Sequence, residues 1–249
     1  MMQSWTPDSI RFLRTAAAHS GYYRQLAEKI AAYLPPDAHV CDAGCGLGEL
    51  SLALLPRCAR VTAIDRAAAP IRDLRRRVTE REREKLEILC GDVLENRPER
   101  PYDAMVFCLF GNMEETLRAA AAQCAGPVIL VKRAYTAHRF SSGPTDLEHF
   151  TPEAAEAALR RRGVPYRAER LELELGQPFR SPEEAVRFFR LYNRGAAFSE
   201  AEIRQRLQRG PSPEFPYYLP NRKQLGLLAF AAGDLKEGRN PTWTKDGTS

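Results

Sequence analysis

Hydrophobic positions along this chain cluster into short dense runs, separated by longer stretches with a helical repeat, and that alternation predicts an α/β fold. Ser9 to Leu34 reads as helical, with Leu26, Ile30 and Leu34 on one stripe, a break near Ser20-Gly21 and a stop at Pro35-Pro36. His39 to Ala43 predicts a strand entering a glycine-rich turn, and Glu49 to Pro56 a helix. Strands are predicted at Arg60 to Asp65, Leu86 to Cys90 and Tyr102 to Leu109, with an arginine-rich helix from about Pro70 to Glu84 after the first. A helix over Glu114 to Gln123 and a strand over Pro127 to Lys132 follow, and Thr151 caps a helix at 152–162. Tyr166 to Leu175 predicts a sixth strand. Ser181 and Pro182 open a further helix, Glu200 to Arg209 form another, and Gln224 to Phe230 are the last strand. Strands alternating with helices predict a doubly wound, largely parallel sheet.

The length of 249 residues and 44% apolar content suffice for one substantial core. We expect a single domain over 1–232, with an N-terminal helical cover at 1–34 and a loose polar tail at 233–249. The net charge of +5 rests on arginines interleaved with glutamates, as in Arg75 to Lys85, which is the pattern of a solvated helix face rather than a nucleic-acid patch. No signal-peptide pattern and no run of ~18 apolar residues is present, so a cytoplasmic protein without a membrane span is expected. Six cysteines fall mostly in or beside strands, and Cys41 and Cys45 lack a second ligand pair, so no metal site is expected.

The most informative segment is Val40 to Glu49, VCDAGCGLGE. Glycines at 44, 46 and 48 permit positive φ and close approach of a ligand to the backbone, and the helix behind them presents unpaired N–H groups. A dinucleotide site would read G-x-G-x-x-G, but Glu49 stands at the third glycine position. Asp42, two residues before Gly44, would repel a pyrophosphate and attract an ammonium group. Asp65 lies 21 residues beyond Gly44 at a strand end, close to the ~20-residue spacing of an acid that accepts ribose hydroxyls; the alternative is an Asp capping the next helix.

This segment resembles motif I of the class I S-adenosylmethionine (SAM)-dependent methyltransferases, an acidic residue, x, then G-x-G-x-G, met by Asp42, Gly44, Gly46 and Gly48, with Cys45 a common variant at the middle position. The resemblance extends over about residues 35 to 135. It implies a mostly parallel seven-stranded sheet with helices on both faces, a C-terminal antiparallel strand and a small helical flap. It also implies a SAM-binding half at 35–135 and a substrate-side half at 136–232. By the same resemblance Asp92 would meet the adenine amino group, the Val93 backbone a ring nitrogen, and Arg66 the adenine edge. Phe107 to Asn112 would correspond to motif IV and bring Cys108 and Phe110 to the cofactor, although Cys108 also reads as a core strand residue, Asp92 as a turn former.

Expected chemistry is methyl transfer from SAM, leaving S-adenosylhomocysteine, to a small-molecule acceptor, with proximity and desolvation carrying most of the rate. The D/N/S-P-P-Y/F motif of amino-methylases is absent after the fourth strand, where the chain reads Cys108-Leu109-Phe110-Gly111. Candidate acceptor contacts are His19, Tyr23, Asn112 and His138, and candidate catalytic residues are Tyr22 and His149. Phe188, Phe189, Tyr192, Tyr217 and Tyr218 read either as an aromatic lid or as the core of the flap. An RNA or protein acceptor, and a non-catalytic SAM-binding protein, are the competing readings; monomer and homodimer are equally compatible with the sequence.

Overall fold

A computed structural model of the chain describes residues 5–134, 151–193 and 197–237. Two helices come first, α1 (Pro7–His19) and α2 (Tyr22–Ala31). Thr6 and Ser9 cap α1 reciprocally, each hydroxyl accepting the other's backbone N–H, and Pro7 sits in the first turn. The chain continues through β1 (His39–Ala43), α3 (Glu49–Leu54), a 3₁₀ turn (Leu55–Arg57), β2 (Arg60–Asp65), α4 (Ala68–Arg77) and α5 (Glu80–Arg83). Next come β3 (Leu86–Cys90), β4 (Ala104–Cys108), α6 (Met113–Gln123), β5 (Pro127–Arg133) and α7 (Pro152–Arg161). The last part holds β6 (Arg167–Glu174), β7 (Gln177–Phe179), α8 (Pro182–Tyr192), α9 (Glu200–Gln205), β8 (Gln208–Arg209), β9 (Tyr217–Leu219), β10 (Arg222–Ala231) and α10 (Asp234–Glu237).

The main sheet has seven strands in the order β3-β2-β1-β4-β5-β10-β6. β1 to β5 pair in parallel, and β10 runs antiparallel to both β5 and β6. The strand order reverses between β1 and β4, which opens a crevice at their carboxyl ends. Residues 40–43 of β1 and 104–107 of β4 are buried throughout, as parallel strands covered on both faces must be. Leu26 and Ile30 of α2 with Leu50 and Leu54 of α3 cover one face; Leu117 and Ala120 of α6 with Leu159 of α7 cover the other.

A third cluster joins Phe12 of α1 to Phe179, Phe188 and Phe189, with edge-on ring pairs at 5.1 Å (Phe12–Phe188) and 5.3 Å (Phe179–Phe188). Phe188 and Phe189 are therefore the core of a flap docked on α1, not a lid; Tyr192 and Tyr217 pack at its margin. The flap carries a three-stranded sheet, β7-β9-β8, whose strands are too short to show an alternating pattern in sequence.

Two helices end earlier than the periodicity predicts. The helix expected over 70–84 breaks at Val78, which is extended (ψ 134°) and buried, and Thr79 then starts α5 with a capping box to Glu82. The helix expected over 200–209 stops at Gln205, because Gln208 and Arg209 pair with β9 and Gly210 N–H closes the hairpin onto the Pro216 carbonyl. β4 is also shorter than predicted: Leu109 turns out of the strand with φ 54°, and Tyr102 makes only a single bridge to Cys124. Within the tail, residues 234–237 form the short helix α10, and no helix among the described residues is long and apolar enough to cross a membrane.

Candidate functional site

The ends of β1, β2, β3 and β4 bring the sequence-predicted residues together around the glycine turn. Gly44, Gly46 and Gly48 all have positive φ (74°, 54° and 71°), so the turn uses glycine at each place for its backbone conformation. Gly44 and Cys45 donate their N–H groups to the Ile64 carbonyl, which ties the turn to β2. Each glycine also lies under a side chain. A Cβ at Gly44 would stand 2.1 Å from the Phe110 ring, one at Gly46 would stand 3.1 Å from Trp5, and one at Gly48 would meet Leu74 at 2.5 Å.

Asp65 anchors this arrangement. One carboxylate oxygen accepts the Gly46 N–H at 2.9 Å and the other the Ala67 N–H at 2.8 Å, so the side chain holds the glycine turn and starts the next one. A carboxylate offers about four lone-pair positions, which leaves acceptor capacity for two hydroxyls. Asp92 accepts the Leu94 N–H through Oδ1 at 2.9 Å, the turn-forming contact that sequence allows, and keeps Oδ2 available among the described residues. The Val93 side chain is buried and its carbonyl accepts from Gln123 Nε2 at 2.6 Å, so its N–H is the atom that can face a ligand. Arg66 is exposed at the rim of the same crevice.

Asp42 differs from the other two acids in being 1% exposed. Its Oδ2 accepts from the Ser51 hydroxyl at 2.6 Å, which fastens β1 to α3 below the glycine turn. Burial pushes its carboxyl up to about 6, Ser51 pulls in the opposite direction, and the charge of Asp65 adds to the rise. A carboxyl raised from 3.8 stabilises the fold fully below pH ~4, and this contribution is lost as pH rises through 6, leaving a buried charge at pH 7. Asp42→Asn is therefore expected to raise stability at pH 7.5 by about 1–3 kcal/mol and to match the parent at pH 4. Thermal melts at the two pH values check this, and a variant less stable at pH 7.5 contradicts it.

Cys108 and Phe110 take different positions. Cys108 ends β4, half-buried, and burial next to Asp42 drives its thiol far up, so it is an inert neutral group. Phe110 covers Gly44 and stacks at a tilt on Phe107, 6.0 Å between ring centres. Sequence reading passed over Lys132, which is 3% exposed at the end of β5 and donates through Nζ to the carbonyls of Phe110 at 3.0 Å and Gly111 at 3.4 Å. Burial pushes its ammonium down to about 8. It pins the loop that carries Phe110, where Leu109 and Gly111 both have positive φ. A lysine closing the apolar run PVILVK is the signal that would have found it. Trp5, over Gly46, had no signal in the sequence pattern.

The remaining candidates separate. Tyr22 is 2% exposed, in the core beneath α2, and edge-on to Tyr23 at 4.9 Å. Burial raises the hydroxyl of its neighbour Tyr23, which lies near Cys108, well above the normal range, and the charges of Glu49 and Asp42 add to the rise. Tyr23 is therefore a neutral hydrogen-bond donor at the crevice. His19 is exposed at the end of α1 with Nδ1 2.9 Å from the Thr15 carbonyl. Asn112 is exposed and its Oδ1 caps α6 by accepting the Glu115 N–H. His138 and His149 lie outside the described residues. All six cysteines are free, and no group of three metal-ligating side chains occurs among the described residues.

The strand ends, the glycine turn and the acids after β1, β2 and β3 all fall inside residues 40–127, and this segment, about a third of the chain, matches the family model described as a methyltransferase domain. The match runs from β1 to the start of β5. No curated protein matches the chain in sequence. Among solved structures it is similar to a Bacillus halodurans C-125 protein provisionally described as a methyltransferase (14% identity, 84% of this chain and 98% of the other, TM-score 0.51). It is also similar to the YcgJ protein of Bacillus subtilis (15% identity, 84% and 97%, TM-score 0.51) and to a functionally unknown Deinococcus radiodurans R1 protein (15%, 85% and 86%, TM-score 0.50). At such identities the likeness shows the fold alone, a mostly parallel sheet extended by antiparallel β10. As 1089 solved chains match, the fold does not select an acceptor.

Proposed function

We propose that the protein is a SAM-dependent methyltransferase with a small-molecule acceptor, releasing S-adenosylhomocysteine. The observation that carries this reading is the convergence of Asp42 and Asp65 on a turn whose three glycines all have positive φ, at the point where the strand order reverses. The residues fit the cofactor. Asp65 has acceptor capacity for both ribose hydroxyls, Asp92 Oδ2 and the Val93 N–H suit an adenine edge, and the charge of Asp42 favours a cationic methionine moiety. A dinucleotide is disfavoured by the same charge and by Glu49 at the start of α3, whose carboxylate pairs with Arg77 at 2.8 Å.

When bound, SAM supplies a methyl group on a sulfonium, open to in-line displacement by a lone pair of the acceptor. The chain's own contribution is to position and to exclude water. Phe110, held by Lys132, and Trp5 cover the glycine turn, and aromatic faces favour a nearby cation. Tyr23, neutral and close to Cys108, can donate a hydrogen bond to the acceptor but cannot serve as a base at neutral pH. The His149 role stays part of the proposal, without structural support. A small acceptor is favoured by the sequence after β4, Cys108-Leu109-Phe110-Gly111, which lacks the D/N/S-P-P-Y/F motif of nucleic-acid amino-methylases.

Incubation with methyl-tritiated SAM and a cell extract separated into small molecules, RNA and protein tests the reading. Label recovered in the small-molecule fraction is expected. Label confined to acid-precipitable RNA or protein would move the acceptor to a macromolecule.

A further inference from the structure

A groove of about 840 Å³ lies between α1 and α4, away from the three carboxylates, and meets the glycine turn only through Trp5 and Glu49. Its lining combines aromatic and cationic groups. Trp5 is the partly exposed aromatic wall; Phe215 also lines the groove but is 6% exposed, with His19 edge-on at 4.7 Å and the Arg180 guanidinium over its ring at 4.6 Å. The acids that line it are already committed: Glu49 pairs with Arg77, and Asp73 pairs with both Arg14 (3.3 Å) and Arg77 (3.3 Å). Arg72 and Arg76 stand one turn apart on α4, both exposed, and neither has a carboxylate partner among the described residues.

An unpaired arginine on a convex surface is ordinary. Two at i,i+4 spacing in one concave groove, beside an aromatic wall and with the local acids neutralised, leave a net positive site with fork-shaped donors. Such donors suit carboxylate, phosphate or sulfonate oxygens, and the indole suits a flat apolar body. We propose that this groove binds a small aromatic anion, its acidic group on Arg72 and Arg76 and its ring system against Trp5. The site adjoins the cofactor crevice at Trp5 and Glu49, but Arg72 and Arg76 lie outside that crevice, and the proposal does not depend on the methyltransferase reading. A nucleic-acid strand is the other anion that arginines attract, but two free arginines beside one tryptophan in a groove between two helices favour a molecule of limited size.

The test uses the full chain and the fluorescent sulfonate 8-anilinonaphthalene-1-sulfonate as probe. Saturable binding is expected, weakened at least ~10-fold in the Arg72→Ala/Arg76→Ala double variant, displaced by a benzoate-type carboxylate, and poorly matched by the uncharged N-phenyl-1-naphthylamine. Both arginines are exposed, so the variant's thermal melt should match the parent, and its affinity for S-adenosylhomocysteine should be unchanged. Unaltered probe affinity in the variant, or equal binding of the uncharged analogue, would overturn the proposal. Displacement by single-stranded RNA at lower concentration than by the carboxylate would also overturn it, by making the groove a nucleic-acid surface. Failure of S-adenosylhomocysteine to bind the parent would count against the methyltransferase reading alone.

Discussion

Gly48→Ala is expected to destabilise the protein by about 2–5 kcal/mol. Two effects add at this position. The residue caps the start of α3 with φ 71°, a left-handed conformation that costs an alanine roughly 1–2 kcal/mol. Its Cβ would also stand 2.5 Å from Cδ2 and 2.8 Å from Cδ1 of Leu74, which is fully buried in the core, so overpacking adds about 1–3 kcal/mol. For a chain of this size the melting temperature should fall by roughly 5–15 °C. A calorimetric melt checks the value, and a loss of less than one degree would mean that Leu74 and the turn relax freely. Gly44 carries the same φ but faces Phe110 on a loop, so Gly44→Ala has an escape that Gly48→Ala lacks.

The second large effect is expected at Asp65. Asp65→Ala removes both acceptors of the Gly46 and Ala67 N–H groups together with the ribose contacts of the proposal. Affinity for S-adenosylhomocysteine should fall by about 1.5–3 kcal/mol, roughly 10- to 150-fold. Stability should fall too, by about 1–3 kcal/mol, since two backbone donors lose charged partners. Asp65→Asn separates the two roles: its remaining carbonyl oxygen can still accept one turn N–H, so most stability should return while affinity stays low. Titration calorimetry alongside melts reads both quantities. Unchanged affinity in Asp65→Ala would remove this residue from the cofactor site.

Most of the sheet was legible because parallel strands covered on both faces are apolar throughout and end abruptly at glycine or acid. β1 and β2 begin and end at the predicted residues for that reason, and so does the less buried edge strand β3, which ends before Gly91. The α4–α5 break was less visible: the arginine and glutamate pattern runs smoothly through it, and only Thr79 with Glu82 three residues on marks a new start. β7, β8 and β9 were illegible, since two or three residues hold no periodicity and their pairing is decided by the tertiary position of Gly210 and the flap.

In the site, the types and spacing of Asp42, Asp65 and Asp92 were readable, but their duties within the protein were not. Spacing says that a carboxylate ends β2; it cannot say that the same carboxylate also holds Gly46 N–H. Tyr22 and Tyr23 are adjacent on one helix and chemically identical in the sequence, and only the docking of α2 sends the first into the core and the second towards Cys108. Lys132 escaped notice because a strand-end lysine normally reaches solvent, whereas here the loop after β4 folds over it.

The central claim is most directly tested by calorimetric titration of the purified protein with S-adenosylhomocysteine, with NAD as the control. The account predicts saturable binding of the former at one site per chain and no binding of NAD. Binding of NAD alone, or of neither, would contradict it and require another ligand for the glycine turn.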